Sequence, residues 1–292
     1  MGHMMHEAGS GSGFAYFFDM WRPDFLLLAI LIGYLFFRFS GRDKTAAAAV
    51  GDPSNILGKF YMVSALVIFY IGQGSPLAYY SHRLFSAHML QQSLLYLVMP
   101  PLVYLAIPEG GWKAFLAKSW VQKRLKPLTH PLLTVFIFNA LFSIYHVPQI
   151  FDAAYENVAL HYGYHLVLIL AAFHMWFPIF CPDHATSRLS DLQKIAYIVV
   201  NGILLTPACA LIIFSDTLLY KVYYDMPLVF DSLSHYNDQQ LGGTIMKIMQ
   251  EIVYGVVLAY VFFAWYRKEK MKDSEEAAAY DAPQPSVRLS HH

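Results

Sequence analysis

The stretch from Ala159 to Phe180, "ALHYGYHLVLILAAFHMWFPIF", decides the class of this protein. It contains no Asp, Glu, Lys or Arg, and about 20 mostly apolar residues are what an α-helix needs to cross a bilayer. Its apolar residues run on without alternating, which selects a helix over a barrel strand. Six more runs of this kind lie near 24–40, 60–80, 84–107, 128–150, 194–215 and 243–266. The first is short, and Lys247 and Glu251 interrupt the last. Only 14% of the 292 residues are charged and 57% are apolar, where a soluble domain carries about 25% charged residues. The expected fold is therefore all-α: a polytopic membrane helix bundle of about seven transmembrane helices. Residues 1–22 read as an extracytoplasmic N-terminal segment, 23–270 as the seven-helix domain, and 271–292 as a disordered cytoplasmic tail.

Charge sets the expected orientation. Sixteen of the twenty Lys and Arg fall in the 38–59, 108–127 and 183–194 connections and the tail, leaving Arg22, Arg83, Lys221 and Lys247 opposite. The positive-inside rule makes the basic side cytoplasmic, with the N-terminus out and the C-terminus in. The formal net charge is zero, which gives no case for nucleic-acid binding. Cys181 and Cys209 are the only cysteines, so there is no disulfide framework. No basic-then-apolar leader is apparent, and no internal repeat suggests an inverted-repeat transporter.

On this topology His82, His88, His146, His161, His165 and His235 gather at the outer ends of their elements. His174 lies deeper. His161 and His165, four apart, share one face of the fifth helix. Pro148 in "YHVPQ" ends the fourth helix near His146. A lone interfacial histidine such as His82 or His235 reads most simply as a boundary residue, and His161 could cap its helix. His88 and His165 lie inside apolar runs, where polar groups face the bundle interior. Imidazoles of this kind suit zinc, copper, iron or nickel, and methionines such as Met246 and Met249 would favour Cu(I). His88 facing His165 could also hold a haem. The second polar cluster, "SHYNDQQLGG" (234–243), offers Asp238 as a helix cap or imidazole partner. Gln239 and Gln240 add amides, and Gly242 and Gly243 permit a tight turn or close helix contact.

"FSAHMLQQSLL" (85–95), "YHVPQIFDAAYENVALHYGYH" (145–165) and "DQQLGGTIM" (238–246) together resemble the CtaG-type, multi-span, Bacillus-like cytochrome c oxidase assembly factors. The likeness runs from the second helix onward. It implies a multi-pass protein of the bacterial plasma membrane, not an enzyme, needed to make active haem–copper oxidase. Copper, as Cu(I), would be its cargo. Cytochrome c oxidase subunit I and other copper chaperones would be its partners, with the lipid bilayer around it. The positions that carry over are His88, His146, His161 and His165 as metal ligands and Asp238 with Gln239 beside them. The family pattern has a second histidine four residues after the first, where this chain has Gln92. A metal-free scaffold, a copper permease and a haem-binding membrane cytochrome are the alternatives. The permease needs polar residues along the whole path, and the inner half reads as dry apart from His174 and Asn201.

Overall fold

The computed structural model describes residues 17–18, 20–40, 53–125, 128–182, 186 and 189–281. Residues 1–16 and 282–292 of the expected terminal segments lie outside these. So do the basic residues Arg42, Lys44, Lys126, Arg188 and Arg288.

Eleven helices organise the described chain. They are α1 (Pro23–Ser40), α2 (Pro53–Gly74), α3 (Pro76–Ser81), α4 (Phe85–Ala106), α5 (Glu109–Leu116), α6 (Pro131–Tyr145), α7 (Pro148–Glu156), α8 (Val158–Phe180), α9 (Asp191–Ile213), α10 (Lys221–Tyr224) and α11 (His235–Asp281). Local sequence explains their starts. Proline at the first turn opens α3, α6 and α7, where its missing N–H costs nothing. Asn157 caps α8 through its side chain, and Ser190 with Gln193 forms a capping box on α9.

Five helices are long and apolar enough to cross a membrane among the described residues, or six if the bent pair α6–α7 counts as one span. The bend is 76° and falls at Val147, which is extended before Pro148. The predicted fourth span is thus broken where the X-Pro step disfavours helix. The 18-residue α1, counted as a span from sequence, is not among the five. Composition places a tail from residue 271, yet α11 continues as helix to Asp281.

Helix contacts close a ring in the order α4, α8, α6, α9, α11 and back to α4, with α2 packed outside on α4 and α1 on α2. α4 is the enclosed member: 61% of its spanning stretch is buried, against 17% for α2. Leu95, Tyr96, Phe138, Phe142, Leu168, Trp176 and Met246 fill the interior. Leu31, Phe60, Phe136, Leu170, Ile203, Leu211 and Val256 are exposed on the outside. An assembly apolar on its outer surface as well as within is built for lipid.

One irregularity in α4 serves the site. Pro100 and Pro101 lack the N–H groups that Tyr96 and Leu97 carbonyls would accept in a regular helix. The helix widens into a π turn over Ser93–Val98 just before them. The Trp176 indole of α8 donates to the freed Tyr96 carbonyl at 3.0 Å, so the backbone group is satisfied inside the bilayer.

Candidate functional site

The first turn of α4 carries His88, and it is anchored from the far end of the sequence. Asp238, in the first turn of α11, accepts hydrogen bonds from the Phe85 amide at 2.6 Å and the Ser86 amide at 3.2 Å, and from the Ser86 hydroxyl. Of the two roles expected for Asp238, it takes the cap, on α4 in place of its own helix. Gln239 holds the preceding loop, accepting from the Leu219 amide at 2.7 Å and donating to the Thr217 carbonyl at 3.1 Å. Gly242 and Gly243 lie inside α11 and make close contacts, with no turn. A Cβ on Gly242 would lie 2.5 Å from Phe85 Cδ1, and one on Gly243 would lie 2.8 Å from Ile213.

Three imidazoles meet between α4 and α8. The ring centres of His161 and His165 are 4.6 Å apart, those of His88 and His165 5.5 Å, and those of His88 and His161 6.4 Å. All three rings are buried, at 7%, 5% and 1% exposure for His161, His165 and His88. Each is held from behind or beside. Gln92 lies one turn along α4 with its side-chain nitrogen 2.8 Å from His88 Nε2. The Tyr96 hydroxyl lies 2.8 Å from His165 Nδ1. His161 is free of the capping duty, because Asn157 does that work.

Each ring keeps one nitrogen without a protein partner: His88 Nδ1, His161 Nδ1 and His165 Nε2. The Tyr145 hydroxyl and Gln92 Oε1 are also unpartnered, and the Tyr145 ring is 6.1 Å from His88 and 5.9 Å from His165. A buried polar atom without a partner costs about 1–3 kcal/mol, so five in one place ask for a ligand. A cation bound through the free nitrogens would offset that cost. The hydrogen bonds on the opposite nitrogens are the supports that orient ligating histidines. For Gln92, this requires the amide turned so that Oε1 accepts from His88 Nε2–H, a 180° exchange of its two ends.

Ring spacing is compatible with shared coordination by pairs. A metal about 2.0 Å from an imidazole nitrogen is ~3.2 Å from that ring's centre, so two rings on one ion sit roughly 4.5–6.4 Å apart as the N–metal–N angle opens from about 90° to linear. The three observed separations fall in that interval. Among the described residues, no group of three or more His, Cys, Asp or Glu is arranged to hold an ion. The arrangement therefore offers pairs of nitrogen donors without a closed cage. The His88–His165 separation of 5.5 Å is shorter than the ~6.4 Å expected of two imidazoles on opposite faces of a haem, and gives that alternative no support.

His146 stands apart from the other three. It ends α6 as expected, but its Nδ1 is engaged with the Phe142 carbonyl at 2.8 Å. Its ring contacts are with Phe142, Tyr145 and Phe151. Phe151 in turn touches His88 at 5.2 Å. The bend at Val147 folds α7 back, so this aromatic ring comes between two histidines that share a depth. His82, read from sequence as a boundary residue, instead joins the cluster, with its ring 5.2 Å from His161. The turn carrying it is fixed by Tyr155 and Tyr223, whose hydroxyls donate to the Ser81 carbonyl at 2.8 and 2.7 Å. Burial and the nearby Arg22 charge hold the His82 imidazole below its ordinary range, so it is neutral at pH 7 with a lone pair to offer.

The inner half of the bundle is less dry than its sequence suggests. Thr134 bonds Tyr197 at 2.8 Å, Asn139 bonds Asn201 at 3.1 Å, and Gln250 donates to the Gly202 carbonyl at 3.1 Å, all buried. These bonds tie α6, α9 and α11 together. His174 is at the rim, paired with the Leu128 carbonyl at 2.8 Å. Lys247 pairs with Glu251 at 2.6 Å and also donates to Thr206 at 2.8 Å.

The model of the cytochrome c oxidase caa3 assembly factor family matches residues 46–268. The chain belongs to that family. Its matched region takes in α2 through the spanning part of α11, and so every histidine of the cluster. The resemblance read from the three sequence blocks is thereby shown. No curated protein and no solved structure matches the chain. Several apolar helices fit a multi-pass membrane protein, as the assembly factor family and its oxidase client require.

Proposed function

We propose that this caa3 assembly factor is a non-enzymatic carrier that accepts Cu(I) at the outer side of the bacterial plasma membrane. It releases the ion to the copper centre of cytochrome c oxidase subunit I. The observation that carries the reading is the trio of buried imidazoles, His88, His161 and His165, each with one unpartnered ring nitrogen. Neutral imidazole is a copper ligand, and sites offering ligands in pairs suit a cargo that must leave again. The seven-span topology with the N-terminus outside belongs to this reading, since it opens the cluster to the compartment in which the oxidase copper would be loaded. Gln92 and Tyr96 orient the ligands, and Asp238, Gln239, Gly242 and Gly243 hold the helices that bear them. His146 serves the packing around the cluster.

The test is genetic and chemical together. In cells lacking this chain, oxidase subunit I should be made but lack copper. The wild-type chain should restore copper and activity, and His165→Ala should not. Full restoration by a His88→Ala, His165→Ala double variant would replace the carrier with a metal-free scaffold.

A further inference from the structure

Four imidazoles stand in a row from the surface inward: His82, His161, His165 and His88. Successive ring centres are 5.2, 4.6 and 5.5 Å apart. Burial rises in the same order, from the half-buried His82 to 7%, 5% and 1%. Every neighbouring separation lies within the roughly 4.5–6.4 Å that two imidazoles on one ion require. No three of the four form a ready cage among the described residues.

We propose that His82 is the receiving ligand of a histidine ladder, along which Cu(I) steps inward by exchanging one imidazole at a time. This rests on the copper reading given above and adds to it a residue and a direction. The ion is first held between His82 and His161. It then moves to the His161–His165 pair and comes to rest between His165 and His88. At each step one Cu–N bond forms to the next ring, and one breaks to the ring behind. Copper stays Cu(I), so no electron is moved, and each neutral imidazole is left as it was found. Release is the same path reversed. Two features of the mouth fit the task. Arg22, whose charge would oppose an arriving cation, is paired with Asp24 at 2.6 Å. The Tyr155 ring, in contact with both His82 and His161 at 5.5 and 4.8 Å, keeps the two facing each other.

The experiment follows uptake of Cu(I) by the full-length chain in detergent micelles, with Cu(I) supplied as its coloured bicinchoninate complex. Three variants are compared with wild type. His82→Phe keeps a ring against Tyr155 but offers no donor, His82→Met restores a soft donor, and His165→Ala breaks the ladder deeper in. The expected result is that His82→Phe reaches the wild-type copper content but loads and unloads about ten times more slowly or worse, while His82→Met recovers most of the rate. His165→Ala should lose the bound ion altogether. Wild-type kinetics in His82→Phe would overturn the ladder and leave the copper reading intact. Loss of the final copper content in His82→Phe, without recovery in His82→Met, would overturn it too, since His82 would then be structural. Absence of uptake by the wild-type chain would remove the copper reading and the ladder with it.

Discussion

Replacing Asp238 with alanine should loosen the helix that carries His88, although the two residues are far apart in sequence. The carboxylate, 3% exposed, accepts from two backbone amides and one hydroxyl at the start of α4. An orphaned buried donor costs about 1–3 kcal/mol, and loss of a helix N-cap costs ~1 kcal/mol. The three bonds share one acceptor group, so their losses do not simply add, and the expected destabilisation is about 3 kcal/mol. Asp238→Asn keeps one oxygen but turns an NH2 towards donors, and should lose about half of that. Asp216→Ala, on an exposed loop, is the control and should stay within about 0.5 kcal/mol of wild type. The assay is thermal unfolding in micelles, joined to hydrogen exchange at the Phe85 and Ser86 amides. Those amides should exchange at least about a hundredfold faster in Asp238→Ala, since ~1.4 kcal/mol is a factor of ten. If the alanine variant melts with the Asp216→Ala control, and those amides keep their protection, the anchoring argument is wrong.

Other consequences can be measured with the same preparations. Tyr96→Phe removes the hydroxyl beside His165 Nδ1; the protein should fold as before but hold Cu(I) about 10–100-fold more weakly, as loss of an outer partner does at metal sites. Gly242→Ala places a methyl group 2.5 Å from Phe85 and should cost about 1–3 kcal/mol by overpacking, read as a lower melting temperature. The His82 pKa lies below its usual 6.5 in the folded chain, so the unfolded chain binds more protons between those two values. Folding stability should therefore fall as pH drops from about 6.5 towards the folded pKa, and in His82→Phe this pH dependence should be smaller.

Much of the architecture could be read from residues alone, because a bilayer leaves few choices. Uncharged runs such as Ala159–Phe180 had to be helices, and "YHVPQ" marked a break at Val147 that the structure shows as a 76° bend. That bend also explains what sequence could not supply. His146 and His88 share a depth, but depth along an axis says nothing of what a folded-back helix inserts between them, here Phe151. His82 was missed for the opposite reason. It lies on a turn after the six-residue α3, where no helical period predicts direction. Tyr96 carried no signal as a partner of His165, since an apolar run with an occasional tyrosine is ordinary for a membrane helix. The role of Asp238 as a cap in trans was hidden by the 152 intervening residues. A cap of that kind is visible only once α4 and α11 are packed together.

The central claim is that the inner imidazoles bind copper, and equilibrium Cu(I) binding to the purified chain tests it most directly. The account predicts about one Cu(I) per wild-type chain, lost in His88→Ala and in His165→Ala while both variants remain helical. Unchanged binding in both variants would contradict it.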